Sequence, residues 1–167
     1  MPLPSDVQQL AALFRRLGAT NPEAWAESQV GEGINQLHRY LFLRQAWSRV
    51  IAEDDQSWID RAIVDSKKDP DAPYAAVGHS LSRLLAGGAS RGDLADLVRG
   101  MQALLLFHIC HLLDDPSLEE PELASVGWSL VETDEDLEPT GKTIGGLHES
   151  VLDTDPTGRE MRPRKAP

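Results

Sequence analysis

From Leu94 to Leu112, apolar side chains recur at helical spacing. Leu94, Leu97, Val98, Met101, Leu104, Leu105, His108 and Leu112 form one stripe. An apolar stripe of period 3.6 marks an amphipathic helix. Between Ala103 and Leu113 this helix is apolar nearly all round, which is expected of a central, buried helix. Leu105 is therefore expected in the core, where truncation to alanine costs about 2–5 kcal/mol. Ser90, with Asp93 three positions on, marks the helix start. Asp114, Asp115 and Pro116 mark its end.

A helix of this kind needs other helices around it, and the preceding residues supply them. Ser5 is placed to cap a helix carrying Val7, Leu10, Phe14 and Leu17, stopped at Gly18. Asn21 and Pro22 open a short helix through Trp25, broken by Gly31 and Gly33. The next is expected from about Ile34 to Ala52. Leu37, Leu41, Leu43 and Trp47 lie on its apolar side, and Arg39, Arg44 and Arg49 on its polar side. The acidic turn Glu53, Asp54, Asp55 suits the start of a helix holding Trp58, Ile59, Ile63 and Val64. After a charged loop, Tyr74, Val77, Leu81, Leu84 and Leu85 fall at helical spacing up to Gly87 and Gly88.

Beyond Pro116 the pattern changes. Val126, Trp128 and Leu130 alternate with smaller or polar residues, as in a half-buried strand. A loop from Thr133 to Gly141 follows, and Thr143 and Ile144 are placed to begin a partner strand. The fold class expected is mainly α: a compact bundle of five or six helices with a small C-terminal β-hairpin-like or irregular extension. The boundaries expected are a helical bundle over 1–115, an acidic element packed on it over 116–155, and a basic, proline-containing tail over 156–167.

Charge sharpens this division. Thirteen acidic residues and one lysine lie between Asp114 and Asp155, in a chain of net charge -11. The helical residues before them are nearly neutral. Such a field repels a phosphate backbone, so nucleic acid is not expected as a partner, outside the short basic tail of Arg159, Arg162, Arg164 and Lys165. The single cysteine, Cys110, excludes an intrachain disulfide framework and points to a reducing compartment. The N-terminus lacks the basic start and apolar run of a signal peptide. No apolar stretch reaches the ~20 residues of a membrane span. The expectation is a soluble, cytoplasmic protein with no membrane partner.

The local motifs resolve into turns. Gly141, Lys142 and Thr143 end like a phosphate-binding loop, but Asp136 stands where that loop needs its first glycine. Asp153, Thr154, Asp155, Pro156 and Thr157 imitate a phosphatase nucleophile motif, yet only ten residues follow. A turn capped by Asp side chains is the expected reading. Gly145 to Ser150, containing His148, Glu149 and Ser150, reads as a tight packing corner. Adjacent side chains diverge in a strand, and a hydrolytic triad is recognised only by its geometry in space.

Two functional readings follow. The first is a small protein-binding module, analogous to acidic bacterial immunity or inhibitor proteins that neutralise basic toxins or nucleases. Its acidic segment would dock a basic protein partner through Glu132, Asp134, Glu135, Asp136 and Glu138, with Trp128 as apolar anchor. No cofactor and no catalytic residue belongs to this reading, and homo-oligomerisation is left open. The second is a metal-dependent enzyme centred on His108 and His111, which share a helix face, with His79 and His38 completing the site. Buried, hydrogen-bonded histidines are the competing account of the same residues.

Overall fold

Asp6, rather than Ser5, caps the first helix: its Oδ1 accepts a hydrogen bond from the Gln9 N–H at 2.9 Å. That helix, α1 (Val7–Leu17), ends at Gly18 in a left-handed conformation, as the sequence predicts. The computed structural model describes residues 4–164. It continues with α2 (Pro22–Glu32), α3 (Gln36–Trp47), α4 (Ser57–Lys68), α5 (Ala75–Ala86) and α6 (Arg91–Asp114). A 3-10 turn at Pro121–Leu123, strands β1 (Val131–Thr133) and β2 (Pro139–Thr143), and the one-turn helix α7 (Leu147–Ser150) complete it. The described chain is mainly helical, with a two-stranded antiparallel sheet near its C-terminal end.

The chain divides into two units, Met1–Arg49 with Leu104–Pro167, and Val50–Ala103. In the first, α1, α2 and α3 enclose Leu10, Phe14, Trp25, Leu37 and Tyr40. Phe14, Trp25 and Tyr40 form an aromatic triad with ring centroids 5.4 to 5.9 Å apart. Such offset and edge-on pairs add about 0.5–1.5 kcal/mol each beyond simple burial. Leu147 and Val151 are fully buried, and Trp47 Nε1 donates to the Val151 carbonyl at 2.9 Å. The residues after α7 thereby belong to this core. The turn expected at Asp153–Thr157 is present: Asp155 accepts from the Thr157 N–H, the Thr157 hydroxyl and the Met161 N–H.

In the second unit α4 lies directly on α5. A Cβ at Gly78 would overlap the Ala62 carbonyl and the Ser66 hydroxyl, so only glycine admits this approach. Ile59, Leu81 and Leu94 form the buried centre. Arg99 donates to the Ile51 carbonyl at 2.7 Å and Gln102 accepts from the Ile51 N–H at 2.9 Å, fastening the residues after α3 to α6.

Three expectations fail here. Arg39 does not lie on a polar face but is buried. Trp128 is not in a strand: the ladder starts at Val131, and the loop shrinks to a tight turn over 134–138. Most of all, α6 is not buried all round. Leu94, Ala95, Ala103 and Cys110 are covered, but Leu97, Met101, Leu104, Leu105 and Leu112 are 50–62% exposed. Leu105 is therefore not a core residue. Among the described residues α6 is also long and apolar enough to cross a membrane by length and composition; the core helix of a soluble protein passes the same test.

Candidate functional site

The acidic residues singled out by sequence gather on the β1–β2 hairpin, and their roles divide. Glu132, at the middle of β1, is half-buried and committed inward. It accepts from Asn35 Nδ2 at 2.8 Å, lies 3.5 Å from His38 Nδ1, and pairs with Lys142 across the ladder at 3.8 Å. It ties the hairpin to the start of α3. Asp134 builds the turn: its Oδ1 accepts from the N–H groups of Asp136 and Glu138, each at 3.0 Å. An Asp bonding its own backbone two residues on is the usual chemistry of such a turn. Glu135, Asp136 and Glu138 are left exposed, and among the described contacts nothing engages their carboxylates.

The turn also presents an apolar side chain that sequence reasoning missed. Leu137 takes φ +65° and is 79% exposed. Its N–H bonds the Asp134 carbonyl at 3.2 Å. A leucine in the left-handed region is strained, because its Cβ crowds the following carbonyl. The ladder and Asp134 hold it there. The signal available in the sequence was one leucine inside a run of four acids. Trp128 stands apart from this tip: it is 40% exposed, and its Nε1 donates to the Leu112 carbonyl at 2.7 Å. It closes the C-terminal end of α6 and stays partly exposed.

The four histidines of the metal reading do not converge. His38 engages Asn35 Oδ1 at 2.6 Å. His79, in the second unit, bonds the Pro70 carbonyl at 3.2 Å. His108 is exposed, and His111 stacks near His148 with centroids 5.0 Å apart. Among the described residues no group of three or more His, Cys, Asp or Glu side chains is placed to hold a metal.

A different polar cluster emerges where Gly145–Ser150 docks, and sequence analysis reached only its outline as a packing corner. Asp114 Oδ2 accepts from the His148 backbone N–H at 2.8 Å and contacts His148 Nδ1 at 2.6 Å. Burial alone would raise the Asp114 pKa. The hydrogen bonds from His148, backbone and ring, and from the Leu147 backbone outweigh it and hold the carboxyl below its ordinary range. Arg39 reaches the same corner, with Nη1 3.5 Å from Ser150 Oγ. Its pKa is lowered by burial, partly offset by the charges of Glu149 and Asp114. Gly146 takes φ +68°, and a Cβ there would overlap the Arg39 guanidinium. Asp114 orients the His148 imidazole as in a catalytic pair, but Ser150 faces Arg39 rather than His148, so no nucleophile–base arrangement forms. Cys110 is fully buried, and its thiol is pushed up to about 11 by desolvation and by the nearby Asp114 charge. It is an unreactive thiol. No protein-family model, curated protein or solved structure matches this chain.

Proposed function

We propose that this chain is a cytoplasmic protein-binding module whose β1–β2 hairpin docks a basic protein partner. The observation that carries the reading is the hairpin tip, where the exposed Leu137 stands among Glu135, Asp136 and Glu138. An apolar side chain ringed by charge has the anatomy of a small hot spot: the apolar group holds the partner, and the rim sets approach and specificity. Asp134 and Glu132 serve the tip by shaping and anchoring it. Trp128 is a subsidiary contact, because its indole N–H is already spent on Leu112. The metal-enzyme reading has no assembled site among the described residues.

The test is interferometry against the basic protein recovered from native lysate. Replacing Glu135, Asp136 and Glu138 by Gln, Asn and Gln should lower the association rate about tenfold at low salt and flatten its salt dependence. Leu137→Gly should relieve the strained turn yet speed dissociation roughly tenfold or more. Association indifferent to salt and to the triple replacement would sink the proposal.

A further inference from the structure

The exposed side chains of α6 are not scattered. Leu97, Met101, Leu104 and His108 follow one another at intervals of four, three and four, and His111 adds a further three. This is the spacing of a coiled-coil seam. Leu105 and Leu112 widen it to a band within roughly 120° of arc. The band extends over roughly 22 Å of helix at 1.5 Å per residue. Its leucines and methionine are 50–62% exposed, and it carries no Asp, Glu, Lys or Arg.

We infer that this face of α6 is the contact surface for a second copy of the chain, with the two α6 helices antiparallel. Three observations select that occupant. The first is area. Five large side chains, each about half free, expose an apolar patch of a few hundred Å², the size at which a patch marks an interaction site. A standard interface takes roughly 800 Å² per partner, an apolar centre with a polar rim, and the band supplies that centre. The second is charge. A basic partner is drawn to the acids of 114–155, whereas the band is uncharged and complementary to itself, as a two-fold contact requires. A lipid surface is disfavoured because helices that lie on bilayers flank their apolar face with Lys and Arg. Of the arginines on α6, Arg99 is turned inward to the Ile51 carbonyl and Arg91 pairs with Asp60 at 2.7 Å. The third is polarity along the helix. An antiparallel pair opposes the two helix dipoles, whereas a parallel pair aligns them.

Sedimentation equilibrium of the full chain between about 1 and 200 µM decides the matter. The mass should rise from 18.3 kDa toward twice that value. Leu104→Glu should raise the dissociation constant roughly a hundredfold, because each dimer carries the change twice. Its circular dichroism should not change, since Leu104 is half-exposed in the single chain. If that variant fails to fold, Leu104→Cys keeps the question open to test: mild oxidation should link it to its own copy, while Leu97→Cys should not link. The buried Cys110 leaves the background silent. A mass fixed at 18.3 kDa throughout overturns the inference. So does a folded Leu104→Glu that still dimerises, a link through Leu97→Cys, or a monomer that instead floats with phosphatidylcholine vesicles.

Discussion

Gly146 holds a left-handed turn against the Arg39 guanidinium, where a side chain has no room. Gly146→Ala therefore meets two costs, the strained backbone and the overlap. It should destabilise the chain by about 2–4 kcal/mol, read by chemical denaturation. Asp114 anchors the same corner and titrates below the ordinary carboxylate range. A group depressed in the folded state contributes stability above the ordinary range and loses it as pH falls through the lowered value. The folded chain should weaken on acidification below about pH 4, and Asp114→Asn should flatten that acid limb while being weaker at neutral pH. A parallel acid limb in the variant would remove Asp114 from the account. The glycines and the odd string Gly145–Ser150 were visible in the sequence as a tight corner. Arg39 was not, because its burial depends on Gly146 and Ser150, far along the chain, and local periodicity counts only near neighbours.

At the scale of elements, helix positions were legible and helix surroundings were not. The stripes located α1, α4, α5 and α6, and the glycine stop after α1 fell where expected. A stripe says that one face avoids water; it does not say which body covers it. Leu105 lies on such a face yet is 59% exposed. Leu105→Ala should therefore cost the folded monomer less than about 0.5 kcal/mol, whereas Leu43→Ala, fully buried in α3, should cost about 2–5 kcal/mol. Thermal or urea unfolding at low micromolar concentration separates the two. The hairpin was foreseen as an element, but its register was not. Val126, Trp128 and Leu130 alternate as a strand would, yet the ladder forms over Val131–Thr133 and Pro139–Thr143. Asp134 closing a tight turn sets that register, and turn geometry outranks alternation where little is buried. The candidate site was legible in its charge and missed in its centre. A single Leu137 among acids has no periodicity to betray it.

Across the whole chain, stability should not be uniform. Val50–Ala103 builds its centre from Ile59, Leu81 and Leu94, while the other unit buries an aromatic triad and a larger aliphatic set. So few residues with so small a centre sit near the lower limit for a self-sufficient core. Hydrogen exchange followed by mass spectrometry should find the amides of α4 and α5 opening well before those of α1 and α3. Equal protection in both would mean that the chain opens only as one body.

Trp58 offers a second view of that difference. It is the one tryptophan of Val50–Ala103, and its indole N–H is buried without an acceptor. Opening of that unit exposes the rest of this partly buried indole to water, which moves its emission to longer wavelength. A chain in which Trp25, Trp47 and Trp128 are replaced by phenylalanine would glow from that unit alone. The red shift of this single lamp in rising urea would then record the opening of α4 and α5 separately from the loss of helix elsewhere.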